Sequence, residues 1–158
     1  MEHPVPRENK REIMTPHTVP YTYGDIQHKA IRLLTRGGCI SQAQRIWRDT
    51  MGLLGCHAEQ VVSTALENCS PAVEVRRVRV AGTTYYVPKL VTYQQAYTRG
   101  LRWILQGAAR RRQYSSPQAL AQEFQDAVQG TGWAYTQCMD MHRLAEANRA
   151  YSRYQWWR

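Results

Sequence analysis

Residues 73–88, VEVRRVRVAGTTYYVP, interrupt a chain whose other apolar residues recur at helical spacing. Valines fall on alternate positions, Ala81-Gly82-Thr83 supplies a small-residue turn, and Tyr85, Tyr86 and Val87 return along a partner strand. Two strands alone bury too little to stand by themselves. The chain is therefore expected to be mainly α, six helices with a two-stranded β-hairpin between helices three and four; either helices cover one face of the ribbon or it projects toward a ligand. Within the ribbon, Val73 and Val75 share one parity while Val78 and Val80 take the other. This one-residue phase change at Arg76-Arg77 predicts a β-bulge.

Start and stop signals divide the rest. Residues 1–23, with Pro4, Pro6, Pro16 and Pro20 among charged and polar neighbours, read as an extended tail. Residues 24–158 read as a single domain. Asp25 is the expected N-cap of a first helix with Ile26, Ala30, Leu33 and Leu34 on one face, broken by Gly37-Gly38. A second starts near Ser41 and carries Ala43, Ile46, Trp47, Met51 and Leu54 up to Gly55. A third runs from about His57 to Cys69, before Pro71. Beyond Pro88, Tyr93, Tyr97, Leu101, Ile104, Leu105 and Ala108 form the stripe of a long fourth helix that ends in Arg110-Arg111-Arg112. Ser116 and Pro117 open a fifth, burying Leu120, Phe124 and Val128, and the last is expected over about 137–154.

Charge points to an anionic partner. The 158 residues hold 21 basic and 12 acidic side chains, a formal net charge of +9. Only Lys10, Lys29 and Lys89 are lysines. Arginine's planar fork pairs with phosphate and stacks on bases, which favours nucleic acid over a membrane surface. The arginines gather in the hairpin, on the fourth helix (Arg99, Arg102 and the terminal triplet), and at the end of the chain, where Arg143, Arg149 and Arg153 precede YQWW. For the hairpin, the residues themselves leave two readings open: a ribbon that reads phosphates, or a solvated edge strand whose cations discourage aggregation.

Several classes lack the residues they need. No apolar run approaches the roughly 20 residues that cross a bilayer, and no helix pairs a broad apolar face with a dense cationic one. The N-terminus has no secretory pattern, and Glu2, Glu8 and Glu12 speak against a transit peptide. Cys39, Cys56, Cys69 and Cys138 form no C-x-x-C pair; Cys138 with His142 and Cys56 with His57 are at most half-sites, so neither metal nor other cofactor is expected. No nucleophile motif, phosphate loop or carboxylate cluster suggests an enzyme. A helix-turn-helix on helices two and three is the alternative, a DNA-binding regulator, although its recognition helix would carry no lysine or arginine.

Three stretches carry a family resemblance. ALENCSPAVEVRRVRVAGTTYYVP (65–88) resembles the third helix and hairpin of the small-subunit ribosomal protein seven family. RGLRWILQGAARRR (99–112) is similar to its fourth helix, and MHRLAEANRAYSRYQWW (141–157) to its C-terminal helix. The resemblance implies a six-helix domain with a protruding two-stranded β-hairpin, a non-enzymatic protein that binds the 3′ major (head) domain of small-subunit rRNA and nucleates head assembly. Its hairpin would lie beside exit-site tRNA and departing mRNA, near ribosomal protein eleven. By position, the implied RNA contacts are Arg76, Arg77, Arg79 and Lys89, with Gly82 at the hairpin tip; Arg99, Arg102, Arg110, Arg111 and Arg112; and Arg143 and Arg149. The family's Gly-Lys-Lys before helix two is Gly38-Cys39-Ile40 here, and the tail is acidic in places. These departures lead to the expectation of a mitochondrial ribosome, with plastid and bacterial ribosomes as alternatives.

Overall fold

The computed structural model describes residues 22–155. The order is α1 (Tyr23–Leu34), α2 (Ile40–Leu54), α3 (Ala58–Cys69), β1 (Val73–Val80), β2 (Thr83–Leu90), α4 (Tyr93–Arg110), α5 (Ser116–Val128) and α6 (Gly132–Ala147). A 3-10 turn precedes α3, and a 3-10 segment (Arg149–Tyr154) follows α6. The expected six helices and one hairpin are all present in that order. Most of the expected tail, and Trp156, lie outside the described residues.

The ends differ in detail from expectation, for local reasons. Thr22 caps α1 and Asp25 closes a capping box from three positions inside, where its carboxylate accepts the Thr22 N–H at 3.3 Å. Ser115, not Ser116, caps α5, with Gln118 reaching back in the same way. The last helix starts five residues earlier than expected, at Gly132, and gives way to 3-10 geometry after Ala147.

The hairpin corrects the sequence reading most clearly. Its register runs unbroken from Val73↔Leu90 through Arg76↔Val87 and Arg77↔Tyr86 to Val80↔Thr83, so there is no bulge. Val73 and Val75 are half-buried on one face, whereas Val78 and Val87 are buried on the other. The valines change parity because the covered face changes along the ribbon, with no extra residue inserted. Ala81 and Gly82 alone form the loop, at φ 48° and 84°. Both central residues at positive φ match the twist of a tight hairpin, a conformation glycine takes freely and alanine takes at a cost.

Helix α5 is the centre of the body and packs on α2, α3, α4 and α6. Leu120 and Phe124 are buried there, Phe124 edge-on to Trp47 of α2 with centroids 6.1 Å apart. Asn68 of α3 donates its side-chain amide to the Ala127 and Val128 carbonyls at 3.1 and 3.3 Å, satisfying the end of α5. Glu123, 1% exposed, also lies on this helix. Its Oε2 accepts Arg111 Nε at 3.0 Å and Nη2 at 2.7 Å, and its Oε1 accepts the Ala134 N–H at 3.0 Å. Arg111 also binds Asp126. Burial would lower the Arg111 pKa, but these hydrogen bonds outweigh it and hold the value above the usual one. Gly107 makes room for the carboxylate: a Cβ there would stand 2.4 Å from Glu123 Oε1.

Cys69 and Cys138 are buried; desolvation pushes the Cys138 thiol up to about 11, and desolvation first, with the charges of Cys138 and Glu123, pushes Cys69 up to about 12. Among the described residues no group of three ligating side chains could hold a metal.

Two outcomes follow. Arg111→Ala strands a buried carboxylate and should cost about 3–5 kcal/mol of folding stability in urea titration, and Arg111→Lys should recover only part because a single ammonium cannot reproduce the paired Nε and Nη2 bonds to Glu123. At pH 8, thiol titration of the native protein should find Cys39 and Cys56 fast, whereas Cys69 and Cys138 should react only after denaturation.

Candidate nucleic-acid interface

The hairpin, α1 and α4 enclose a cleft of about 540 Å³. Arg76 and Lys89 come from the ribbon, Arg99 and Arg102 from α4, and Lys29 from α1, with Gln94, Gln95 and Thr98 along the floor. Five cations face one carboxylate, Glu74. A smaller cleft of about 240 Å³ shares Lys29, Gln94 and Thr98 and adds Asp25, His28 and Arg32 of α1. Such a wall suits a phosphate chain, and the amides and hydroxyl offer the neutral donors that phosphate and sugar contacts also use.

Strand alternation explains why the three hairpin arginines do not act together. Arg76 stands opposite Val87 and shares its face with Glu74 and Lys89. Arg77 and Arg79 take the other face, where the Arg77 guanidinium lies 5.5 Å from the centroid of Tyr86, its cross-strand neighbour. Tyr86 and Leu90 are exposed on that same face, at 38% and 71%. The ribbon thus offers cations on both sides, and Gly82 is exposed at its tip.

The hairpin is held by later residues along its length, from Tyr85 near the turn to Pro88 and Ala72 at the base. Tyr85 packs on Tyr151 and Tyr154 with centroids 5.1 and 5.0 Å away. Gln155 donates its amide to the Pro88 carbonyl, and the Ala72 N–H donates to His142 Nε2 at 3.1 Å. His142, read from the sequence as at most a half-site with Cys138, is therefore a buttress of the hairpin.

The remaining expected contacts are dispersed. Arg110 lies 4.2 Å over the ring of Trp133, and Arg111 is engaged by Glu123 and Asp126. Arg112 borders a separate cleft of about 430 Å³ between the ends of α1 and α4 and helices α2 and α5, with Arg36. Arg143 pairs with Asp140 at 3.1 Å, Arg149 is exposed, and neither lines any of the three clefts. Sequence reasoning overlooked His28, Lys29 and Arg32. Their spacing, opposite Ile26 and Ala30, was the available signal: a cationic face on an amphipathic helix. By contrast α3, the recognition helix of the DNA-binding alternative, has five buried residues and Glu59 in its first turn.

Comparison with known proteins decides the family. The model for ribosomal protein S7p/S5e matches residues 4–149. The chain is 40% identical to small ribosomal subunit protein uS7 of Nitrosococcus oceani over 139 residues, covering 85% of this chain and 89% of that one. It is 31% identical to small ribosomal subunit protein uS7m of Drosophila melanogaster over 153 residues, covering 85% and 70%.

The chain belongs to the S7p/S5e family of ribosomal proteins.

Membership gives it a structural role in the small ribosomal subunit and no enzymatic one, as expected. Within this S7 chain the hairpin's seating on the tyrosines can be tested directly. Tyr154→Ala should remove about 0.5–1.5 kcal/mol of aromatic contact, and amide exchange should quicken across Thr83–Leu90 while α4 and α5 keep their protection.

Proposed function

We propose that this S7 protein binds small-subunit rRNA of the head domain through the basic cleft between its hairpin, α1 and α4, and so nucleates assembly of the head. The observation that supports this reading is the convergence of Arg76, Lys89, Arg99, Arg102 and Lys29 around one cleft from three separate elements. Cations so gathered repel one another in the free protein, and an RNA backbone relieves that repulsion while releasing its own counterions. Arg77 and Arg79, on the ribbon's other face, are assigned to a second RNA surface beside Tyr86. Arg112, Arg143 and Arg149 are assigned peripheral phosphate contacts. Arg110 keeps a stacking face on Trp133, and Arg111 serves the fold.

The tip at Gly82 is the part we assign to exit-site tRNA, departing mRNA and ribosomal protein eleven, on the strength of its exposure together with Arg79, Ala81, Thr83 and Thr84 beside it. The matched relatives include bacterial uS7 proteins and the Drosophila uS7m, which supports a ribosomal location of either kind. Gly38-Cys39-Ile40 in place of the basic family motif favours a mitochondrial one, and co-sedimentation of tagged protein with mitochondrial small subunits is the expected result.

Filter binding of a head-domain rRNA fragment across a salt series tests the RNA assignment. Affinity should fall steeply with salt, by about 0.7–0.9 in log K per log salt for each phosphate neutralised. Arg76→Ala/Arg77→Ala/Arg79→Ala should lower that slope by about 2–3 and weaken binding at least tenfold at moderate salt. A triple variant that binds like the wild type would remove the hairpin from the interface.

A further inference from the structure

Glu74 is the one carboxylate among the five cations that line the hairpin cleft. On β1 it stands directly across the ladder from Lys89, yet its Oε1 accepts a hydrogen bond from Nη2 of Arg99 on α4. The two side chains keep 33% and 39% of their exposure, so the pair stands at the cleft wall in reach of solvent. A pair this open adds little to folding stability. What it does is fix geometry. Arginine has a long side chain with much rotamer freedom, but its fork is planar. Tying one arm of the fork to Glu74 sets the plane of the whole group and leaves the rest of it available at the cleft. The same bond links the hairpin wall, which carries Arg76 and Lys89, to the α4 wall, which carries Arg99 and Arg102.

We propose that Glu74 is a positioning residue for RNA binding: it holds Arg99 ready to meet a phosphate and fixes the separation of the two cationic walls, so that an acid strengthens the binding of a polyanion. This rests on the RNA-binding role assigned to the cleft. It makes a prediction opposite in sign to simple electrostatics. Glu74→Gln raises the net charge by one, from +9 to +10, and removes the anion nearest the ligand, which alone would tighten binding. If positioning dominates, binding weakens instead, because Arg99 must be ordered at the moment of binding.

The experiment is equilibrium binding of the full chain to the head-domain rRNA fragment, over a salt series, for the wild type, E74Q, R99Q and E74Q/R99Q. Circular dichroism and thermal melting verify folding. E74Q should bind about three- to tenfold more weakly at every salt concentration, the cost of immobilising one rotamer-rich side chain. Its salt slope should match the wild type, since Arg99 still neutralises a phosphate once bound. R99Q should lower the slope by about one. In the R99Q background, E74Q should cause no further weakening, since the residue acts through Arg99. Equal or tighter binding by E74Q overturns the proposal, and so does an equal loss in both backgrounds, which would mark general damage. A cleft variant, K29Q/R76Q/R102Q, separates the two levels, because Arg77 and Arg79 lie on the ribbon's other face. If it keeps full affinity, the cleft reading fails and Glu74's role with it; if it loses affinity while E74Q tightens, only the role of Glu74 falls.

Discussion

One buried carboxylate organises the helical body. Glu123 sits on α5, the helix that touches most of the others, and both of its oxygens are committed. One binds the arginine just beyond α4; the other accepts an N–H at the start of α6, where Thr131 provides no side-chain cap. Helix N-termini leave donors unmet, and here a neighbouring helix meets one of them. The arrangement fixes how α4 and α6 leave the core. Because α4 forms a wall of the basic cleft and α6 buttresses the hairpin, the placement of the cationic surface depends on a charge that never reaches it. Close approach is the condition for this geometry, and Gly107 and Gly132 meet it: a Cβ on either would press on Glu123.

Arginine has three distinct tasks in this molecule. Arg111 is a structural cation, enclosed by two acids. Arg110 lies over an indole, a contact that orders the end of α4. Arg76, Arg99 and Arg102, with Lys29 and Lys89, face a common cleft. The triplet 110–112 looks uniform as a string, but the end of α4 at Arg110 and the turn that follows spread it over three environments. Net charge therefore overstates the cationic surface: what counts is which guanidinium groups retain donors facing outward.

Much of this was legible beforehand. Six helices and a hairpin follow from the change between helical and alternating periodicity, and Gly37-Gly38, Gly55 and Pro71 punctuate it where the helices stop. The bulge failed because parity was read as backbone geometry, when a ribbon half-covered on each face gives the same pattern with perfect register. Glu123 was illegible for a different reason. A helix packed on several sides buries positions outside any single stripe, and a polar residue there depends on partners far along the chain. His142 was likewise hidden, since its acceptor role exists only once Ala72 lies beside it. The cationic face of α1 was readable, but the apolar stripe drew attention from it.

The seat of the arm also has a kinetic side. Pro88 and Gln155 are 67 residues apart, and Ala72 and His142 are 70 apart. Contacts of such separation form only after the intervening chain has been gathered in, because the entropy of closing the loop must be met first. Helices α4 and α5 lie inside that loop, so their packing shortens it. The ribbon can pair with itself early, through its two-residue turn, but it acquires a fixed direction last. Pulse-labelled exchange should show protection of α4 and α5 before the hairpin residues that face Tyr151 and Tyr154. The arm would then complete its orientation late, as the final step of a body already built.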